Sequence, residues 1–332
     1  MNHSTVFCGW ACGQSSSIRY NDGMAADDST WPSLSSAAWP ATCASLHMWT
    51  QMVGKVRLAL GPRVNHWWGV ALYVTARGLT TSPIPYGDGA FEIVFDFIDH
   101  TLTIEVSDGR RHTIALRPRM VADFFDIFIR ALDDLQLRVR IWPMPVEVPE
   151  PIRFTEDRVH TAYDADAAHQ WWRALVQVDT VLQEFRAGFI GKSSPVHFWW
   201  GGFDLAVTRF SGRRAPERPG ADAITREGYS HEVISAGFWP GGGAITEPAF
   251  YAYAAPEPAG FKDARVGPAA AFYSTDFNEF VLKYDDVRRA ASPRDALLQF
   301  LQTTYDAAAA LGNWNRAELE RSPTPASTRG TQ

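Results

Sequence analysis

Lysine is scarce in this chain: of 31 basic residues only Lys55, Lys192, Lys262 and Lys283 are lysines, and the formal net charge is −6. A nucleic-acid surface needs a concentrated positive patch to neutralise phosphates, and the Arg213-Arg214 pair is too small to supply one. Nucleic acid is therefore not an expected partner. Cysteine is nearly as rare. Cys8, Cys12 and Cys43 are too few for a disulfide framework, and Cys8 and Cys12, with no second Cys or His pair nearby, read as two thiols on a loose tail. No uncharged apolar run reaches membrane-spanning length, because the longest candidates break at Arg77, Asp96 or Asp99. The opening MNHSTVFCGWACG has neither a basic start nor a sustained apolar stretch, so no secretory signal is expected. These absences together describe a soluble, cytoplasmic protein with no membrane association. Its preference for Arg and Ala over Lys fits a GC-rich bacterial genome.

Signatures of familiar chemistry are missing too. None of the nine histidines sits in an H-x-H or H-E-x-x-H pattern, and no G-x-S-x-G elbow occurs. The Gly241-Gly242-Gly243 run lacks a following Lys-Ser or Lys-Thr and does not lead into a clear helix, so it is not a phosphate loop.

What is present is enough apolar material for a large core. The 332 residues are 46% hydrophobic and 20% charged, far from a disordered composition. Residues 1–30 lack an apolar period and read as a disordered leader, and 316–332 as a disordered tail. The first half, 31–150, is expected to contain a helix from Thr42 to Leu60, with Leu46, Trp49, Val53 and Val56 on its stripe. A long strand from His66 to Leu79 should follow, then strands at 91–97, 102–106 and 112–117, a helix at 121–135 and a strand at 137–148. The proline-rich PMPVEVPEP separates the second half, 151–315. There a helix at 164–189, with Leu175, Val178, Leu182, Phe185 and Phe189 on one stripe, precedes a strand at 196–210, strands near 229–239, 249–254, 269–274 and 279–283, and a helix at 294–311. The expected fold class is α+β: two similar halves, each helix–antiparallel sheet–helix, packed as one pseudo-symmetric unit.

HWWGVALYVTAR from His66 and HFWWGGFDLAVTR from His197 support a duplication. Matching the tryptophan pairs and matching the histidines give registers one residue apart. The second keeps faces consistent, because strand side chains alternate; a one-residue bulge reconciles the two. In that register the rows beginning at His66 and His197 are core. The reverse face then carries Tyr73 and Arg77 in one half, and Trp200, Gly202, Asp204, Ala206 and Thr208 in the other. Small residues on a strand let a ligand approach the backbone, so this face is a candidate pocket wall. The plainer alternative covers the face with helices and pairs Asp204 with Arg209 or Arg77.

His231 and Glu232 follow on a later strand, where a histidine and a carboxylate can serve as base and orienting partner or as metal ligands. Adjacent strand positions face opposite ways, so the two are candidates singly rather than as a pair. His66, His197 and His231, completed by Asp204 or Glu232, are the candidate ligands for a divalent metal. The alternative for His66 and His197 is a hydrogen-bonded core histidine. Thirteen tryptophans, with doublets at 67–68 and 199–200, are the most unusual feature, and they suit either a core or a stacking surface for a flat ligand.

The segments running from VGKVRLALGPRVNHWWG through FDFIDH, SPVHFWWGGFDLAVTRFSGRRAP, YSHEVISAGFWPGGG and EPAFYAYAAPEPAGF resemble a family of uncharacterised bacterial proteins known only as a domain of unknown function. The resemblance covers about residues 31–315 and implies one integral unit. It brings no activity and no catalytic residue. Two functional readings follow from the residues. The first is an enzyme or enzyme-like protein with a polar small-molecule pocket: Asp204, His231 and Glu232 supply acid/base or metal chemistry, and Tyr73, Arg77, Trp200 and Arg209 bind the ligand. The second is a non-catalytic small-molecule-binding or interaction protein with a Trp-rich core.

Overall fold

The structure, a computed structural model, describes residues 30–321. The expected leader, with Cys8 and Cys12, and the chain from 322 onward lie outside the described residues. Residues 316–321, expected as tail, are instead folded: a short helix ends at Leu319, and Glu320 bridges to Phe189.

Helix α1 (Trp39–Leu60) opens with Pro40 in its first turn, where a missing N–H costs nothing. From Met48 to Val56 every residue of α1 is buried, Lys55 included. Six strands follow: β1 (Tyr73–Val74), β2 (Gly78–Thr80), β3 (Ile84–Tyr86), β4 (Gly89–Asp96), β5 (Thr101–Val106) and β6 (Arg111–Ala115). They form an antiparallel sheet in the order β1-β2-β4-β5-β6, with β3 paired to β4. Helix α2 (Val121–Asp134) closes this half. Helix α3 (Ala165–Ala187), capped by Asp164 accepting from the Ala167 N–H at 2.8 Å, opens the next.

The second sheet holds β7 (His197–Trp199), β8 (Asp204–Arg214), β9 (His231–Trp239), β10 (Ala249–Ala255), β11 (Phe272–Ser274) and β12 (Glu279–Lys283), in the order β11-β12-β10-β9-β8-β7. Every pairing in both sheets is antiparallel. A short helix α4 (Ala223–Gly228) lies between β8 and β9; α5 (Tyr284–Arg288), α6 (Pro293–Leu311) and α7 (Arg316–Leu319) end the fold. The sheets meet where Leu72 and Phe198 exchange two backbone hydrogen bonds, 2.8 and 2.9 Å long. The protein is thus α+β with two antiparallel sheets.

One apolar core joins both sheets and the long helices. It holds Trp49 and Phe124 stacked at 4.4 Å, and Trp171 stacked between Trp39 at 4.8 Å and Phe238 at 5.0 Å. Each buried aromatic of this kind is worth roughly 2–3 kcal/mol of transfer free energy.

Three expected strands differ from the fold. Residues 66–79 are not one strand. Asn65–Val70 form a 3-10 turn in which His66 and Trp67 take left-handed φ of 54° and 60°. That conformation is costly for such residues, and tertiary bonds hold it: His66 Nδ1 lies 3.1 Å from the Glu227 and Gly228 carbonyls, and Arg63 sits 4.6 Å over the Trp67 ring. Residues 196–210 are two strands joined by the loop Trp200-Gly201-Gly202-Phe203, with Trp199 paired to Asp204. Residues 137–148 form no strand. The two tryptophan doublets therefore sit in different local structures.

The hairpin changes the faces. His197 pairs with Ala206, so His197, Trp199, Asp204, Ala206 and Thr208 share one side, and Leu205, Val207 and Arg209 the other. The expectation that His197 and Trp199 continue into the core row with Leu205 is overturned. Asp204, Ala206 and Thr208 remain on the non-core side, as alternation within β8 requires.

Candidate functional site

The non-core face of the second sheet is the wall of a cavity of about 820 Å³. Five of the thirteen tryptophans line it: Trp67, Trp68, Trp142, Trp199 and Trp200, together with Phe210, Tyr229, Tyr251 and Tyr253. Trp200 anchors its indole by donating to the Val70 carbonyl at 2.8 Å. It fits because α1 presents Gly54 beneath it; a Cβ there would fall 2.2 Å from the ring.

Asp204 stands on the wall of this cavity and accepts a hydrogen bond from the Tyr251 hydroxyl at 2.5 Å. Tyr251 can reach it because of register. Tyr251 on β10 faces Gly237 on β9, which in turn faces Ala206 on β8. A Cβ at 237 would lie 2.5 Å from the tyrosine hydroxyl and 2.5 Å from the Leu205 carbonyl. Glycine lets the ring lie across the middle strand and meet a carboxylate two strands away. We expect Gly237→Ala to cost roughly 1–3 kcal/mol and to break the Tyr251–Asp204 bond. Chemical denaturation together with the tyrosine hydroxyl signal in NMR will check both.

Burial pushes the Asp204 carboxyl up to about 7; the Tyr251 hydrogen bond opposes the shift and the Glu147 charge adds to it. Glu279 is likewise raised to about 7, by burial first and by Asp204 second. Tyr251 is pushed well above its ordinary value by burial and by Asp204, so it stays protonated and donates. The Glu147 carboxylate lies against the Gly201-Gly202 loop: a Cβ at 202 would meet Asp204 Oδ1 at 2.8 Å and Glu147 Oε2 at 3.5 Å. Two carboxylates thus face the same loop, where like charge favours keeping a proton on one of them. Hydroxyl pairs continue the polar wall, Thr208 with Ser235 and Tyr229 with Tyr253, each 2.9 Å apart.

Lys55, 5% exposed, also lines the cavity and has no carboxylate partner among the described residues. Its ammonium lies 5.2 Å from the Trp142 ring and 5.7 Å from the Trp200 ring, and burial lowers its pKa. Trp142 itself is 61% exposed at the cavity edge.

The other candidate residues divide sharply. Arg209 is not a ligand residue: it is buried on the core face, its guanidinium 3.5 Å from the Phe185 ring and 4.2 Å from the Tyr305 ring, donating to the Phe185 carbonyl. Desolvation lowers its pKa to about 10, so it stays charged at neutral pH. Arg77 is tied on the surface to Asp96 at 2.5 Å and Asp99 at 2.7 Å. Asp204 therefore pairs with neither arginine. Tyr73 does not line the cavity; it packs edge-on against His197 at 5.5 Å. Glu232 lies on the opposite side of β9 from Ser235, bonded to Ser211 at 2.9 Å and to Arg213 at 2.6 Å. Arg213 also caps the C-terminal end of α6 through the Gly312 and Asn313 carbonyls, so Glu232 orients a structural clamp.

The three histidines do not assemble as ligands. His66 and His231 are neighbours, ring centroids 5.6 Å apart, but His197 is fully buried among Trp68, Tyr73 and Trp199. Neither ring nitrogen of His197 has a partner, and burial drops its pKa to about 3. Among the described residues no three His, Cys, Asp or Glu side chains gather as a metal site.

Tyr251, Glu279, Glu147 and Lys55 escaped the sequence reading. Signals existed for two of them. Tyr251 and Tyr253 alternate in AFYAYAA, and Lys55 interrupts the apolar centre of α1.

No curated protein and no solved structure matches the chain. A family model described as a family of unknown function (DUF5996) matches residues 31–321, which spans the whole cavity and both sheets. The chain belongs to that family.

Proposed function

We propose that the protein is an enzyme or enzyme-like protein whose aromatic cavity binds a small polar molecule with a flat or ring-shaped face, and that Asp204 is its acid/base group. The observation that carries this is one arrangement: a carboxyl raised to about 7, held by a tyrosine hydroxyl, on the wall of a cavity faced by five indoles. A general acid or base works best when its pKa lies near the working pH. Indole faces give a ring area to stack on, while Thr208, Ser235 and Tyr253 give hydroxyls to orient it. Lys55 adds a cation for an electron-rich or anionic substituent at the Trp142 side.

The low cysteine content supports placing this chemistry in the cytoplasm, and the negative net charge supports a small-molecule rather than a nucleic-acid ligand. That each six-stranded antiparallel sheet is preceded by one long helix, α1 or α3, supports descent from a duplicated unit. No helix among the described residues is long and apolar enough to cross a membrane.

Thermal-shift and tryptophan-quenching screens of the full chain against sugars, nucleosides and aromatic acids test this reading. A ligand should quench indole emission and raise the melting temperature. Its affinity should fall at least about tenfold in Asp204→Asn, the loss expected when a hydrogen bond to a charged or titrating group is removed. Turnover of that ligand should follow a pH profile with a limb near 7. A ligand bound without turnover gives the non-catalytic reading instead, and quenching that ignores Asp204 removes the carboxyl from the site.

A further inference from the structure

A second cavity, of about 580 Å³, adjoins the first. It is lined by Arg63, His66, Lys192, Arg214, Arg226 and His231, with Glu227 as its only carboxylate. Glu227 is already engaged by Arg63 at 2.8 Å. Lys192, Arg214 and Arg226 make no ion pair among the described residues.

The hydrogen bonds fix how the two imidazoles face this space. His66 Nδ1–H donates to the Glu227 and Gly228 carbonyls at 3.1 Å, so His66 Nε2 is the acceptor for the Lys192 ammonium, 2.7 Å away. Ser230 donates its hydroxyl proton to the Glu227 carbonyl, so His231 Nδ1–H donates to Ser230 Oγ at 3.1 Å and leaves His231 Nε2 without a partner among the described residues. Arg214 and His231 are cross-strand partners and point the same way. The cleft thus offers three cations that no carboxylate among the described residues compensates, beside the neutral amide of Asn65 and the imidazole of His231. One carboxylate needs a single arginine; a group with two or three negative charges matches this set.

Helix α4 joins the two cavities. Ala223, Arg226 and Glu227, spaced three and four apart, line the basic cleft, while Asp222, Ile224, Thr225 and Gly228 line the aromatic cavity, and His66 lines both. We infer that the basic cleft is a phosphate site, taking the phosphate or pyrophosphate group of a molecule whose ring occupies the aromatic cavity. This rests on the ligand-binding reading above and names its substrate class: phosphorylated, ring-bearing metabolites. The Arg214 and Arg226 guanidiniums and the Lys192 ammonium would hold the phosphoryl oxygens. Lys192 would be drawn from its seat 5.4 Å above the Trp68 ring.

Calorimetric titration of the full chain with inorganic pyrophosphate, at ionic strength matched with chloride, tests the inference. Saturable binding is expected, with a change in emission that Trp68→Phe removes. The double variant Arg214→Ser, Arg226→Ser should weaken binding at least about tenfold, the loss of one or more charge-assisted contacts, while its circular dichroism and melting temperature stay those of the wild type. Lys192→Met is the second variant should the double change perturb folding, and it should weaken binding too. Asp204→Asn should leave pyrophosphate affinity unchanged, which separates this site from the acid/base reading. Absence of saturable binding, or binding indifferent to both variants, overturns the phosphate site even where a ring-bearing ligand still quenches the indoles.

Discussion

Asp204→Asn should make the folded protein more stable at pH 8 and leave its stability nearly unchanged at pH 4, while abolishing ligand-dependent chemistry. The sign follows from the raised pKa. A carboxyl that titrates near 3.8 when unfolded and about 7 when folded prefers to be protonated in the native state. Its favourable contribution is complete below the unfolded value and is lost as pH rises through about 7. At pH 8 the native state therefore carries a buried carboxylate at a cost of about 2 kcal/mol, smaller than the full shift would give because the group faces an open cavity. Asparagine keeps an oxygen for the Tyr251 hydroxyl and carries no charge. Denaturant unfolding at the two pH values measures the difference. A variant destabilised equally at both would mark Asp204 as a packing residue. Removing the Asp204 charge should also lower the Glu279 pKa, since that charge helps to raise it.

Arg209→Ala should do the reverse: destabilise by about 3–5 kcal/mol, with ligand affinity of the folded fraction unchanged. The two residues share strand β8 but point to opposite sides of the sheet. Truncation at 209 opens a void between Phe185, Phe189 and Tyr305 and leaves the Phe185 carbonyl without its donor. Arg209→Met fills most of that volume and should recover much of the loss. Equilibrium unfolding of the three proteins, read with ligand titration, separates the faces. Loss of affinity in a stable Arg209 variant would contradict the assignment of this side to the core.

The long periodic helices were legible in the sequence because their apolar stripes extend over several turns: α1, α2, α3 and α6 fall where the spacing of Leu46, Trp49 and Val53, or of Leu175, Val178 and Leu182, puts them. Strands β4, β5, β6, β9 and β10 were equally legible from alternation and from the Asp-Gly turn at 108–109. The two tryptophan-rich segments were not. In the second, Gly201-Gly202 is a turn signal that the apolar alternation around it concealed, and treating 196–210 as one strand reversed the faces of His197 and Trp199. In the first, the left-handed backbone at His66 and Trp67 depends on carbonyls of Glu227 and Gly228, some 160 residues away in sequence, and no local pattern encodes that.

Asp204 was found because its own strand alternates correctly from 204 onward. Its partner was missed because the Tyr251 contact requires a register across three strands, and a single sequence does not state which strands are neighbours. Arg209 was misplaced for a different reason. A buried arginine sandwiched by aromatic rings looks, in sequence, like an arginine waiting for an anion.

Carbon-13 NMR titration of the aspartate carboxyls, with Asp204→Asn to assign the signal, tests the poise of this cavity most directly. The Asp204 carboxyl carbon should titrate with a midpoint near pH 7, in a curve broadened by coupling to Glu279, and should move higher in Tyr251→Phe, where the hydroxyl no longer stabilises the charge. A midpoint near pH 4, insensitive to Tyr251, would contradict it.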